Sequence, residues 1–198
     1  VVLIAITLIT TGHLFLELWI SPAIAQSSSR LLVIHVLTYA LIAIGVISLQ
    51  VAESFRFSSF YTITSAFWFL VAVPLMIILA DNYRSEGIAM ARLIATALSF
   101  PLLFYIERRF LGRILWRFWV ATFLKIGIAT IMTAFAELFI LNLLAPSWFA
   151  FFLAGSTGVA IFGASLLILR FFSDDEWAML RGLLRSQRSL GIGSNTVE

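Results

Sequence analysis

Residues 58–80, SSFYTITSAFWFLVAVPLMIILA, contain no charged side chain and decide the fold class of this chain. A helix of about 20 apolar residues spans the ~30 Å hydrocarbon core of a bilayer, and this stretch is long enough to do so. A strand of a membrane barrel needs only ~10 residues and alternates apolar with polar positions, unlike this stretch. Because backbone groups in lipid must find their hydrogen bonds within the segment, the sequence predicts a transmembrane helix.

Similar apolar stretches fill most of the chain. Hydrophobic residues make up 62% of the 198 residues and charged residues 12%, with a mean hydropathy of +1.06. Soluble domains are about one-quarter charged, so this composition indicates a membrane protein. We therefore predict an all-α integral membrane fold in which residues 1–172 form a bundle of about six transmembrane helices. The predicted spans lie at about 1–20, 31–52, 58–80, 87–106, 114–141 and 148–171.

Residues 173–198 have a different pattern. Ser173 is followed by three acidic residues, 174–176, which is typical of a helix N-terminus. Leu180 and Leu184 then share one side of the helix, while Arg181 and its neighbours occupy another. This pattern predicts a cytoplasmic amphipathic helix on the membrane surface, followed by a polar tail.

The distribution of arginine predicts the orientation. Alternate connections lie on the same side of a membrane, and cytoplasmic connections are enriched in Lys and Arg. One side of the membrane has only Arg30 and Arg84, whereas the side with the C-terminus is rich in arginine. We therefore expect a cytoplasmic C-terminus in a bacterial inner membrane. The arginine-rich side collects Arg56, Arg108, Arg109, Arg113, Arg117, Arg170, Arg181, Arg185 and Arg188.

The composition argues against several other classes of protein. The net charge is +3, but the arginines flank membrane spans and form no separate basic stripe, so we expect no nucleic-acid partner. There is no cysteine, no glycine-rich phosphate loop, no histidine pair at metal-ligand spacing and no serine-hydrolase elbow. We therefore expect neither catalysis nor a metal or cofactor. The chain begins at Val1 inside an apolar stretch, which we interpret as the C-terminal part of a longer protein.

Six ionisable residues, one of them His35, fall well inside predicted spans, where a charge at the bilayer centre costs at least ~2.5–3.5 kcal/mol. Arg92 and Glu137 lie at similar depth on different helices, which predicts an ion pair. His13 and Glu17 are four residues apart and share a helix face, although Glu17 could instead reach the outer headgroups. Lys125 lies alone in the inner half, where it could line a cavity or extend towards the headgroups.

Two local motifs resemble a known family. Residues 16–20, LELWI, end a span as a similar segment does in Wzx-like polysaccharide transporters, the oligosaccharide flippases of the multidrug/oligosaccharidyl-lipid/polysaccharide superfamily. Residues 83–92, YRSEGIAMAR, resemble that family's entry into a later helix. Arg84 and Pro22 depart from the family pattern, which usually has glycine at the first position and a glycine turn near the second.

The resemblance implies a two-lobed exporter that works by alternating access, with this chain as the C-terminal lobe. Its substrate would be an undecaprenyl-pyrophosphate-linked oligosaccharide for surface lipopolysaccharide or exopolysaccharide, and its partners would be membrane lipids and the missing N-terminal half. Arg92 and Lys125 are then candidate contacts for the anionic substrate, and Glu137, His13 and Glu17 are candidates for ion coupling. The alternatives are an ion-coupled drug or metabolite exporter of the same superfamily and a non-transporting membrane scaffold.

Overall fold

The computed structural model describes residues 1–57 and 59–171, which are helical throughout apart from short connections and contain no strand. Five segments of this part are long and apolar enough to cross a membrane, the longest running from Ser59 to Phe110. The prediction of an all-α, multi-pass membrane fold is confirmed at this level, while the predicted amphipathic helix in 173–198 lies outside the described residues. The helices are α1 (Val2–Trp19), α2 (Pro22–Ser54), α3 (Ser59–Leu98), α4 (Phe100–Leu111), α5 (Trp116–Leu143) and α6 (Trp148–Ile168).

The longest helix, α3, folds back on itself at Arg84, whose φ of 49° and ψ of −127° are not helical. Trp68 and Thr96 would be about 42 Å apart along a straight helix, at 1.5 Å per residue. The indole Nε1 of Trp68 nevertheless donates a hydrogen bond of 3.3 Å to Oγ1 of Thr96. The two arms also touch through their backbones, since a Cβ at Gly87 would lie 2.1 Å from the carbonyl oxygen of Leu79. Residues 59–98 therefore form an antiparallel helical hairpin.

The second arm of this hairpin continues into α4 through a short interruption. The amide of Ser99 still donates to the carbonyl oxygen of Ala95 at 3.1 Å, and α4 starts at Phe100. Pro101 has no amide hydrogen, so it suits the first turn of a helix and breaks a helix that is already running. The helix is thus interrupted at the proline within the predicted span 87–106.

The first connection was predicted wrongly. The predicted spans 1–20 and 31–52 left the serine-rich residues 21–30 as a connection, but α2 begins at Pro22 and continues through them. The amide of Ala25 donates to the carbonyl oxygen of Ser21 at 3.0 Å, and the hydroxyl of Ser27 donates to the carbonyl oxygen of Ile24 at 3.1 Å. Serine can satisfy its hydroxyl within a helix in this way. The polar stretch is therefore the first part of helix α2, and the apolar part of the same helix follows it.

The fourth connection is also shorter than predicted. The predicted spans 87–106 and 114–141 left residues 107–113 as a loop, but α4 extends to Leu111 and α5 starts at Trp116. The carboxylate of Glu107 accepts one hydrogen bond from the amide of Leu115 at 3.1 Å and another from Nε1 of Trp119 at 2.8 Å. Glu107 therefore fixes the end of α4 to the first turn of α5, beside the arginines of this loop.

The helices pack in two groups, which meet where α1 contacts α2. α1 contacts α2, α5 and α6, and α5 packs closely against α6. α2 contacts α3 and α4 on its other side. Small side chains occupy many of the buried positions, which allows close approach of the helix backbones in a membrane. The buried alanines are Ala25, Ala52, Ala72, Ala89, Ala91, Ala95, Ala129, Ala150 and Ala154.

Large apolar side chains cover the outside of the molecule. Ile77 on α3, Ile131 and Phe135 on α5 and Ile168 on α6 are each at least 65% exposed. A soluble monomer rarely exposes contiguous apolar patches larger than a few hundred Å². Small residues inside and large apolar residues outside are the arrangement expected of a bundle surrounded by lipid.

Candidate functional site

Glu137 is the buried charge-bearing residue around which a polar site is built. It lies on α5, between α1 and α6, and 0% of its surface is exposed. The hydroxyl of Thr7 on α1 donates a 2.7 Å hydrogen bond to Oε1, and the hydroxyl of Thr10 is hydrogen-bonded to Oε2. Both carboxylate oxygens therefore have a hydroxyl partner from the neighbouring helix.

The threonines of α1 form a stripe on the side that faces α5. Thr7, Thr10 and Thr11 are spaced by three and four residues, which places them on one face of the helix. Thr11 donates to the carbonyl oxygen of Thr7 at 2.6 Å. Thr10 is also within 3.0 Å of the carbonyl oxygen of Ile6, although its hydroxyl has a single hydrogen to donate. The Thr10 hydroxyl can therefore give its hydrogen either to Glu137 or to its own helix, and in the second case its oxygen is free to accept.

A further hydroxyl lies one turn from Glu137. Thr133 is four residues earlier on α5, is fully buried and has no hydrogen-bond partner for Oγ1 in the described structure. Positions four apart on a helix share a face, so this hydroxyl belongs to the same polar region as the carboxylate. A buried polar atom without a partner is unusual and needs an explanation such as an ion or a water.

The third wall of the site is α6. A Cβ added at Gly158 would lie 1.9 Å from Oε1 of Glu137, so the carboxylate occupies the space that any larger residue would take. The contacts described for the carboxylate are the hydroxyls of Thr7 and Thr10 and the close approach of Gly158. Oxygen atoms of this kind can hold a proton or a hard monovalent cation, which is the chemistry expected of an ion-coupling site.

The predicted ion pair between Arg92 and Glu137 is not formed. Arg92 lies on the second arm of α3, which packs against α2, and α3 does not contact α5 in the described part of the chain. The Arg92 guanidinium carbon instead lies over the ring of Tyr39, 5.9 Å from the ring centroid. Similar depth along two helices was the basis of the prediction, and depth does not reveal which helices are neighbours.

Lys125 lies at the end of α6, away from Glu137. Its Nζ donates a hydrogen bond of 2.9 Å to the carbonyl oxygen of Arg170, two residues beyond the end of α6. Carbonyl groups at helix C-termini have no partner within the helix and often bond a lysine. Lys125 therefore joins α5 to the residues that directly follow α6.

The other two candidates are on the outer part of α1. His13 is exposed and Glu17 is half-buried, and the described structure contains no hydrogen bond between their side chains. His13 follows Thr11 by two residues and Glu17 follows it by six, and neither side chain has a hydrogen bond to Glu137 in the described structure. The structure therefore does not bring these two residues into the Glu137 site.

The sequence reasoning missed Thr133 and three further residues of this site. Thr7 and Thr10 are polar residues within an apolar helix, and their spacing by three was the signal that could have identified them. Gly158 was not considered, because only the position of the Glu137 side chain shows why a glycine is needed there.

The comparisons with known proteins provide no family for this chain. The sequence matches no protein-family model, and it is significantly similar to no curated protein and no solved structure.

Proposed function

We propose that this chain is part of an ion-coupled membrane exporter and that Glu137 is the residue that binds the coupling ion. The observation that supports this most directly is the complete burial of a carboxylate between three apolar helices, where its partners are hydroxyls. Ionisable residues inside membrane bundles are expensive, and they commonly mark the path of an ion or a proton. The Thr10 hydroxyl can serve both forms of the carboxyl, because it can donate to the charged form and accept from the protonated one.

The proposed cargo is a lipid-linked oligosaccharide, moved from the cytoplasmic to the outer leaflet for surface polysaccharide synthesis. This part of the proposal rests on the resemblance of residues 16–20 and 83–92 to Wzx-like flippases. Alternating access by such a protein needs two lobes around a central cavity, so the exporter would include a second half that packs against these helices.

The proposed topology has six crossings. The turn at Arg84 divides the segment from Ser59 to Phe110 into two antiparallel arms, each of which would cross the membrane. With six crossings, the arginine-rich connections all fall on one side, which the positive-inside rule assigns to the cytoplasm. The C-terminus would then be cytoplasmic in a bacterial inner membrane.

The test is complementation of a flippase-deficient bacterium with the full-length gene, scored by the return of surface polysaccharide. We expect the native gene to restore it and Glu137→Gln to abolish restoration, because the amide has the shape of the acid but cannot exchange a proton or neutralise a cation. Thr38→Val is the matched control: Thr38 is also buried, but its hydroxyl donates only to the carbonyl oxygen of Ile34 in the same helix.

Two results would contradict this function. If the native protein inserts normally but restores no polysaccharide and instead lowers sensitivity to toxic cations, the drug-exporter alternative is supported. If it does neither, the scaffold alternative is supported. If Glu137→Gln has full activity, Glu137 is not the residue that binds the coupling ion. The cargo is then still decided by whether the native gene restores surface polysaccharide.

A further inference from the structure

A cavity of ≈ 390 Å³ lies between the first part of α2 and the second arm of α3. Its walls carry two side chains of opposite charge, Arg30 on α2 and Glu86 on α3. The rest of the lining consists of Ser29, Val33, Ile34 and Met90. The cavity therefore offers a cation, an anion and an apolar surface to one ligand.

Neither charged side chain has a partner in the part of the chain that the structure describes. Arg30 and Glu86 form no ion pair with each other and no hydrogen bond with another described residue. Glu86 is nevertheless half-buried, so its carboxylate has lost part of its hydration without gaining a protein partner. An arginine side chain only donates hydrogen bonds and an ionised carboxylate only accepts them, so the two charges call for different groups of a ligand.

The two walls of the cavity run in the same direction. The Arg92 guanidinium carbon lies 5.9 Å from the centroid of the Tyr39 ring. Arg92 follows Glu86 on its helix, and Tyr39 follows Arg30 on the other helix. Contacts therefore keep the same order along both helices, and the two charged side chains lie at the same end of this helix pair.

That end is at the level of the lipid headgroups. Arg30 directly precedes residues 31–52, which contain no charged side chain, and Glu86 directly precedes residues 87–106, which contain only Arg92. Charged residues at the ends of such apolar stretches lie at the membrane surface. One turn further along the helices, the lining is apolar and consists of Val33, Ile34 and Met90. The cavity is thus charged at the headgroup level and apolar towards the hydrocarbon.

We propose that this cavity binds a phospholipid with a zwitterionic headgroup of the phosphatidylethanolamine type. The lipid phosphate binds Arg30, the ammonium group binds Glu86, and the first part of the acyl chains lies against the apolar lining. Arginine presents a fork of N–H donors that matches phosphate, and the ammonium N–H groups supply the donors that the carboxylate lacks. A lipid with a phosphate but no ammonium group would satisfy Arg30 and place its negative charge near Glu86, which is unfavourable.

The inference goes beyond the proposed function, because it depends neither on the cargo nor on the coupling ion. A lipid held by both charges joins α2 to the second arm of α3 next to the Arg84 turn. The site therefore assigns a role to two charged residues that the Glu137 site does not use.

The experiment measures binding to the purified full-length protein by native mass spectrometry, with phosphatidylethanolamine, phosphatidylglycerol and water-soluble phosphoethanolamine as probes. We expect phosphatidylethanolamine to bind at least about tenfold more tightly than phosphatidylglycerol, as one charge-assisted hydrogen bond allows. Phosphoethanolamine has the same charged groups but no acyl chains, so it should not displace the lipid at equal concentration.

Two substitutions separate the roles of the two charges. Arg30→Gln removes the phosphate contact and should weaken the binding of both lipids about tenfold. Glu86→Gln should weaken only phosphatidylethanolamine and so abolish the preference between the two lipids. Arg84→Gln is the matched control for charge, because Arg84 lies at the same end of the molecule but does not line the cavity. It should bind both lipids as the native protein does.

Equal binding of the two lipids to the native protein would overturn the proposed headgroup. Displacement by phosphoethanolamine at equal concentration would overturn the lipid as the natural ligand. If Arg30→Gln and Glu86→Gln lower the melting temperature but leave lipid binding unchanged, the two charges have only a structural role and the site is wrong. All of these results can occur while surface polysaccharide is still restored, so they leave the proposed function intact.

Discussion

Gly158 on α6 leaves the space in which the carboxylate of Glu137 on α5 lies, because a Cβ at residue 158 would be 1.9 Å from Oε1 of that carboxylate. A buried carboxyl in this bundle therefore depends on the absence of a side chain on the neighbouring helix. The same close approach brings α6 against α5 at the level of the Thr7 and Thr10 hydroxyls.

We expect Gly158→Ala to destabilise the full-length protein by about 1–3 kcal/mol, the usual range for overpacking a close-packed interior. The measurement is thermal unfolding of the purified protein in detergent. Gly163→Ala on the same helix is the control, because a Cβ there has no neighbour within 4 Å and should be tolerated. Equal melting temperatures for the two variants would contradict the contact between Gly158 and Glu137.

Replacing Thr7 by valine removes a hydroxyl donor and keeps the shape of the side chain. Because Oε1 of Glu137 then loses its 2.7 Å hydrogen bond inside the bundle, we expect a loss of about 1–3 kcal/mol in unfolding free energy. Thr38→Val should cost less, because Thr38 bonds only its own helix.

A double-mutant cycle isolates this hydrogen bond. In a Glu137→Leu background the carboxylate is absent, so Thr7→Val should have little further effect on stability. A full additional loss in that background would show that Thr7 acts through something other than Glu137.

Arg84 has a positive φ of 49°, a conformation that glycine adopts without steric conflict. We expect Arg84→Gly to stabilise the hairpin by about 1 kcal/mol, within the 1–3 kcal/mol typical of strained non-glycine residues. Arg30→Gly should have the opposite sign and cost about 1 kcal/mol, since Arg30 is within the helix α2. Melting temperatures of the two variants check both signs, and destabilisation by Arg84→Gly would contradict the turn.

Single cysteines test the six-crossing topology. The described chain has no native cysteine, so Arg84→Cys and Gly112→Cys can each supply a unique thiol once any cysteine elsewhere in the full-length protein is replaced. We expect an impermeant thiol reagent added to whole cells to label Arg84→Cys but to label Gly112→Cys only after the cells are opened. Labelling of both from outside would mean that the second arm of α3 and α4 do not cross the membrane.

Several features of the fold could be predicted from residue type alone. Apolar runs such as 58–80 predict membrane helices because lipid leaves the backbone no other way to satisfy its hydrogen bonds. Helix boundaries were less predictable. The serines near residue 27 resembled a loop, yet a helix continues through them because their hydroxyls bond the preceding turn.

The candidate site could be predicted from the sequence only in part. Glu137 was identifiable because a charge inside a span is expensive, but its partner was predicted as Arg92 on the wrong helix. Depth along a helix follows from counting residues, whereas the neighbours of a helix depend on how all the helices pack.

The sequence by itself therefore determined that this chain is a helical membrane protein and which of its residues are costly in lipid, since both follow from the solvation of single side chains and of the backbone. Only the tertiary structure decided that Glu137 is held by Thr7 and Thr10, that Gly158 makes room for it, and that Arg92 lies over the ring of Tyr39. These relationships join residues far apart in the chain, and they exist because small side chains let particular helices approach one another closely.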